Sequence, residues 1–290
     1  MTLAAPAKAA TRPRYHDHII DVLIAERAPR LTGHPGWPLI RPALYALLDY
    51  RAARRMADAI APLPGRAALE HVARTLALSV TAHGLDQLPR RGRVVVICNH
   101  PTGIADGVAV FDALKARRPD LCFYANADAH RVAPGFAEVL IPVEWVAAKR
   151  SRETARATLA ATRQVLEAER CLVIFPAGRI ARVQPDRSLL DPPWAPSAVS
   201  IARRHDAPVL PVHVSGPWST LFHLFHGRSD ELRDITLFHE LLNKRGGRFA
   251  LSAGPLIPPA ALVGDAAEVT ARLKAYVERD LPSDPARPFA

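Results

Sequence analysis

Apolar positions along the chain switch period repeatedly, and each switch marks an element. Leu69, Val72, Leu76 and Val80 recur at helical spacing, the signature of one buried helix face. A mixed polar and apolar stretch, residues 81–88, follows and stops at Pro89. Short apolar runs then read as strands at Val94–Cys98, 121–125, 139–143, 171–175, 209–214 and 249–253. Helical spacing fills the gaps over 109–116, 152–169 and 197–205. Strands alternating with helices predict an α/β fold, a layered sheet flanked by helices, with its site at the loop ends of the sheet.

The flanks carry different patterns. Residues 1–14 are rich in Ala and Pro, lack the apolar core of a signal peptide and read as a disordered tail. Residues 15–80 read as an N-terminal helical segment, 81–281 as the α/β domain, and 282–290 as a C-terminal tail that should fray. Leu232, Ile235, Phe238, Leu241 and Leu242 share one helical face, and Glu240 with Lys244 suits a helix-surface pair. Asp265 and Glu268 form a capping-box pattern that opens a last helix through Val277. No apolar run is long enough to span a membrane, since residues 39–48 are broken by Arg41 and Pro42.

Composition narrows the class. The 290 residues, 49% hydrophobic and 23% charged, suffice for one large globular domain or two small ones. Cys98, Cys122 and Cys171 each border an apolar run without metal-ligand spacing, so they read as buried, reduced thiols of a cytoplasmic protein. A net charge of +10 calls for an anionic partner. Basic residues gather at Arg51, Arg54 and Arg55, at Arg90, Arg91 and Arg93, and at Lys149, Arg150 and Arg152. Aromatics are only 6% of the chain and no nucleic-acid-binding motif is present, which argues against nucleic acid. Anionic lipid fits better, each nearby Lys or Arg contributing about 1 kcal/mol. Leu23, Ile24, Trp37, Leu39, Ile40, Leu44, Leu47 and Leu48, mixed with Arg41, Arg51, Arg54 and Arg55, suit either an interfacial amphipathic helix pair or a core-packing pair with a solvated basic face.

The candidate chemistry sits where the first of the strong apolar runs ends. Asn99-His100-Pro101-Thr102-Gly103-Ile104-Ala105-Asp106-Gly107 places an imidazole and a carboxylate across a strand-to-helix turn. A neutral imidazole can take the proton of a hydroxyl as it attacks a carbonyl, and a carboxylate on the other ring nitrogen fixes the tautomer. Pro101 and Gly103 fit a forced turn, and Asn99 can position it. Taken alone, His100 reads equally as a turn histidine and Asp106 as a helix cap. A second turn, Phe175-Pro176-Ala177-Gly178-Arg179, ends another strand; Arg179 with Arg182 can grip a phosphate or carboxylate. Gly178 either permits close backbone approach or offers an N–H to an oxyanion. His223 and His226 lack a third ligand, so no metal is expected. Neither a phosphate-binding loop, a dinucleotide fingerprint nor a nucleophile elbow occurs, so no nucleotide cofactor is expected.

These blocks resemble, in order and spacing, the motifs of the lysophospholipid acyltransferase superfamily, the glycerolipid acyltransferases that move a fatty acyl group from a thioester to a hydroxyl. Five residues lie between His100 and Asp106 where the common motif has four, which resembles the hemolysin-like branch. The block from Cys171 to Arg179 is similar to the superfamily's Phe-Pro-Glu-Gly motif, with Ala177 in the glutamate position. The stretch from Pro208 to Val214 is similar to its strand ending in Val-Pro-Val. A block that carries an arginine in glycerol-phosphate acyltransferases runs here from Gly135 to Pro142 without one. The likeness reaches from Leu39 to Leu281.

The resemblance implies an acyltransferase domain over 81–281, with His100 as general base oriented by Asp106. It implies substrate contacts from Asn99, Gly103, Phe175, Pro176, Gly178 and Arg179. The donor would be acyl-CoA or acyl-carrier protein, a co-substrate rather than a cofactor. The acceptor would be a lysolipid: lysophosphatidate, glycerol phosphate or a lyso-aminolipid. The protein would be cytoplasmic, peripherally associated with the inner face of the membrane. Ala177 and the altered Gly135 block motivate the alternative, a non-catalytic lipid-binding or membrane-tethering protein on the same scaffold.

Overall fold

Every side chain of Val94–Cys98 is buried, and successive residues face opposite layers. Val94, Val96 and Cys98 join one apolar cluster, Val95 and Ile97 another. That is the alternation of a strand covered on both faces. The computed structural model describes residues 17–144, 151–186 and 188–290. The expected 1–14 tail, Lys149 and Arg150 lie outside them.

Helices α1 (Ile19–Arg27), α2 (Pro29–Thr32), α3 (Trp37–Leu47), α4 (Tyr50–Ile60) and α5 (Gly65–Leu76) precede the sheet. Then come β1 (Ser79–His83), β2 (Val94–Cys98), α6 (Ile104–Leu114), β3 (Leu121–Asn126), α7 (Asp128–Val132), β4 (Leu140–Val143), α8 (Arg152–Glu167) and β5 (Cys171–Ile174). A small hairpin, β6 (Arg182–Val183) and β7 (Leu189–Leu190), leads to α9 (Ser197–Arg204) and β8 (Val209–Ser215). The chain closes with α10 (Thr220–Phe225), α11 (Asp230–Ile235), α12 (Leu237–Leu242), β9 (Arg248–Ala253), α13 (Ala266–Ala275) and α14 (Leu281–Ser283).

Seven strands form one sheet in the order β1-β9-β8-β2-β5-β3-β4. β2 lies between β5 and β8 and runs parallel to both, and β3 and β4 continue parallel beyond β5. β9 reverses against β8, and β1 pairs parallel with β9. The fold is thus the layered α/β sheet with an N-terminal helical segment that the apolar pattern predicts. Parallel strands bring their carboxyl ends to one edge, where such folds bind ligands; β2 and β5 each lead there into a candidate motif.

Several elements differ from the sequence reading, each for a physical reason. Val80 belongs to β1, not to the preceding helix: Ala77 turns left-handed at φ 46° and ends α5. β1 is an exposed edge strand, and polar edges carry little apolar periodicity. The single helical face through Leu232 and Leu242 is split into α11 and α12 at Thr236, whose hydroxyl donates to Arg233 O at 2.6 Å. Glu240 and Lys244 are not a surface pair. Their side chains are buried and bridged at 2.9 Å. Lys244 also donates to Trp218 O, and Glu240 accepts from the Phe222 N–H, so the pair ties the segment around α10 to α12. Residues 282–290, expected to fray, fold back: Phe289 meets Tyr276 edge-on at 5.5 Å, and the Tyr276 hydroxyl donates to Arg287 O.

The N-terminal helices divide the apolar residues between the two readings of their sequence. Ile24, Leu44 and Leu48 are buried in a third cluster that includes Ile235, and Leu23 is buried as well. Leu39, Ile40 and Leu47 point outward from α3, Leu39 at 86% exposure. Arg27 and Arg131 pin α1 to α7 through Asp128 and Glu26. Among the described residues no helix is long and apolar enough to cross a membrane.

Candidate active site

β2 delivers Asn99 and His100 to the edge of the sheet, and the side chain of Asn99 continues the strand's hydrogen bonding after its backbone has turned away. Its amide donates to Val214 O at 2.9 Å, and its carbonyl accepts the Val214 N–H at 2.6 Å. The motif is therefore locked to the end of β8. Asn99 is buried and acts on the turn.

The turn itself is built around Asp106. This carboxylate, fully buried, accepts His100 Nδ1 at 2.9 Å, Thr102 N at 2.9 Å, Thr102 Oγ1 at 2.6 Å and Gly103 N at 3.0 Å. Two of these donors are backbone groups at the start of α6, where the helix dipole also favours an anion. Gly103 stands at φ 102°, and a Cβ there would lie 2.9 Å from Ile180 Cδ1. Asp106 therefore caps the helix and orients the histidine with the same two oxygens. An ionised carboxylate only accepts, so Nδ1 carries the ring proton and Nε2 keeps a lone pair. The His100 side chain is 18% exposed while Asp106 is 0% exposed. A dyad that is closed behind and open in front can remove a proton from a hydroxyl brought to Nε2.

The second motif forms the wall beside the imidazole. Phe175 is buried, its ring centre 4.7 Å from that of His100. Pro176 accepts the Ala195 N–H at 3.1 Å. Gly178, at φ 61°, donates its N–H to Phe175 O at 3.0 Å to close the turn. That N–H is therefore engaged within the turn, whose left-handed φ favours glycine. Ala177 packs against the apolar cluster behind the sheet. Arg179 is exposed and lines an open cleft of about 460 Å³ with Arg182, Asp191, His226 and Arg233. The Ala181 N–H donates to His100 O at 2.9 Å, so cleft and histidine share one backbone junction.

Asp191 is the site residue that sequence reasoning missed. It lies 91 positions from His100, yet its carboxylate accepts the His100 backbone N–H at 3.0 and 3.1 Å and Trp194 Nε1 at 2.8 Å. No local motif marks it; only the chain's return past the hairpin brings it there. Burial pushes this carboxyl from 3.8 up to about 7. Between those values the folded protein holds a proton that the unfolded chain has released. Its contribution to stability therefore falls as pH rises through that window, by on the order of 4 kcal/mol at the full shift. Denaturant unfolding at about pH 5 and pH 8 should show a smaller loss of stability in Asp191→Asn than in the parent. Equal losses would place the titration elsewhere.

Cys98, fully buried beneath the turn, has its thiol pushed well up by desolvation. Such a thiol is a core residue, not a nucleophile. Among the described residues no group of His, Cys, Asp and Glu could hold a metal ion.

Residues 79–215 match the family model described as Acyltransferase. Over 196 residues, 66% of the chain and 68% of the relative, the sequence is 26% identical to a lyso-glycine lipid O-acyltransferase of Phocaeicola vulgatus. It is 25% identical to the lyso-glycine lipid O-acyltransferase of Bacteroides thetaiotaomicron over 198 residues, 66% of the chain and 70% of the relative. The crystal structure of the 1-acyl-sn-glycerophosphate (LPA) acyltransferase PlsC from Thermotoga maritima aligns with a TM-score of 0.48 at 16% identity, covering 91% of this chain and 99% of that one.

Proposed function

We propose that this chain is an O-acyltransferase of the glycerolipid acyltransferase superfamily, as its match to the Acyltransferase family model and its likeness to two lyso-glycine lipid O-acyltransferases support, and that it transfers a fatty acyl group from a thioester to the hydroxyl of a lyso-lipid. The observation that carries the reading is the His100 Nδ1 to Asp106 contact of 2.9 Å beneath a partly exposed imidazole. Nε2 takes the proton of the acceptor hydroxyl as its oxygen attacks the thioester carbonyl. The tetrahedral intermediate collapses with cleavage of the carbon–sulfur bond, and the imidazolium returns its proton to the departing thiolate. The new bond is an oxygen ester, and no acyl-enzyme forms because the nucleophile belongs to the acceptor.

Arg179 and the Phe175 to Gly178 turn hold the acceptor, while Asn99 and Gly103 fix the turn that aims the imidazole. The donor is acyl-CoA or acyl-carrier protein. Anionic bilayer is the surface on which the two substrates meet: the outward Leu39, Ile40 and Leu47 of α3 insert, and Arg41, Arg51, Arg54 and Arg55 supply cations around them. The enzyme accordingly works at the cytoplasmic face of the membrane without spanning it.

The test is a matrix of acyl-CoA and acyl-carrier protein donors against lyso-lipid acceptors, with products weighed by mass spectrometry. The reading expects an acceptor heavier by one acyl group, bound through an ester that mild alkali cleaves. Vesicle binding without product from any pair would return the chain to the non-catalytic alternative.

A further inference from the structure

We propose that Glu278, paired with Lys274 near the end of the chain, is a positioning residue for the general base and acts on the His100 turn through Asp191. The inference rests on the acyl-transfer reading and adds to it a control that lies outside the matched residues 79–215. Three contacts make the connection. The Glu278 carboxylate, its side chain 4% exposed, is bridged to Nζ of Lys274 four residues earlier. Its Oε1 accepts the Asp191 backbone N–H at 2.6 Å. The Asp191 carboxylate in turn accepts the His100 N–H with both oxygens, at 3.0 and 3.1 Å.

The backbone is shaped to bring Glu278 there. After α13 the chain widens into a π-helical turn over Tyr276–Asp280, closed by the Leu281 N–H on Tyr276 O; such turns are rare and gather at functional sites. The Val277 carbonyl of the same turn accepts His213 Nδ1 at 3.0 Å, which ties it to β8. Glu278 is thus fixed against the sheet on one side and against Asp191 on the other.

Charge gives the arrangement its effect. Burial keeps a proton on the Asp191 carboxyl up to about 7; the Trp194 hydrogen bond and the His100 charge oppose this, and the Glu278 carboxylate reinforces it. Asp191 also faces the Cys98 thiol, which burial keeps protonated, and across the cleft Arg179, Arg182, His226 and Arg233. A cationic His100 favours ionised Asp191, so ionised Asp191 equally favours the imidazolium that forms as the acceptor hydroxyl gives up its proton. Turnover should therefore rise as pH passes through the Asp191 titration. Glu278 moves that titration up and Lys274 moves it down, so the pair sets where the base gains its counter-charge.

The test is kcat of the full chain against pH, at saturating acyl thioester and lyso-lipid, from about pH 5 to pH 9. Glu278→Gln keeps an oxygen for the Asp191 N–H and removes the negative charge, so the rise should move to lower pH by about one pH unit. Lys274→Met keeps the aliphatic stem and leaves Glu278 without its cation, so the rise should move to higher pH by a similar amount. Both single variants should keep KM for donor and acceptor near the parent's. On an Asp191→Asn background neither substitution should move the profile. Opposite shifts cannot come from a shared loss of packing, and each is a test by itself if the other variant folds poorly. Shifts in one direction, no shift, or shifts that persist with Asp191→Asn would overturn the role. Absence of product from the parent chain would instead defeat the acyl-transfer reading, and this role with it.

Discussion

His100→Ala is expected to lower kcat/KM for acyl transfer by about 10³-fold, within the range that a positioned general base supplies, and corresponding to about 4 kcal/mol of transition-state stabilisation. The hydroxyl of a lyso-lipid is almost entirely protonated at neutral pH, so without Nε2 the proton must leave to water during attack. The fold should survive. The imidazole contributes one hydrogen bond, His100 Nδ1 to Asp106, while the turn is held independently by the backbone bonds of His100 to Asp191 and Ala181. Removing it leaves Asp106 with three donors, from Thr102 and Gly103. A variant with unchanged unfolding and collapsed turnover is the expected pair of results. Unchanged turnover would remove the histidine from the chemistry.

Asp106→Asn should cost about 10²- to 10⁴-fold in kcat for a different reason. The carboxylate's two oxygens only accept, which places the proton of His100 on Nδ1. An amide at the same position keeps one oxygen and gains two donors. Thr102 N, Gly103 N and His100 Nδ1 all meet Oδ2, while only the Thr102 hydroxyl meets Oδ1, so the amide oxygen keeps the place of Oδ2 and the NH₂ turns to Thr102 Oγ1, which can accept. The ring proton stays on Nδ1, and what is lost is the negative charge that stabilises the imidazolium formed as the acceptor gives up its proton. Nitrogen chemical shifts of His100 should therefore report the same tautomer in both proteins while turnover falls. Stability should also fall by about 1–3 kcal/mol, because the buried Thr102 hydroxyl loses its acceptor. Activity near the parental level would show that the charge of the carboxylate does not serve the base.

The residues most legible in the sequence were those whose partners are near in the chain or whose environment is uniform. β2 begins and ends where its run of apolar residues does, because a strand covered on both faces needs no polar alternation. His100 and Asp106 are six positions apart, and a strand-to-helix turn is a local structure. β1 was illegible for the opposite reason: an edge strand with one partner has no buried face to impose a period. The Glu240–Lys244 pair has the spacing of a surface pair, and only the packing of the α10 segment above it makes it buried. Asp191 and Arg233 lie far from His100 in sequence and belong to no motif. Their place at the site follows from the closure of the sheet and of the segment between β8 and β9, which local pattern does not encode.

Release of free thiol from an acyl thioester, followed with and without a lyso-lipid acceptor for the parent chain and His100→Ala side by side, tests the central claim most directly. The account predicts acceptor-dependent release by the parent and none above background by a variant that unfolds like the parent. Equal acceptor-dependent release from both proteins would contradict it.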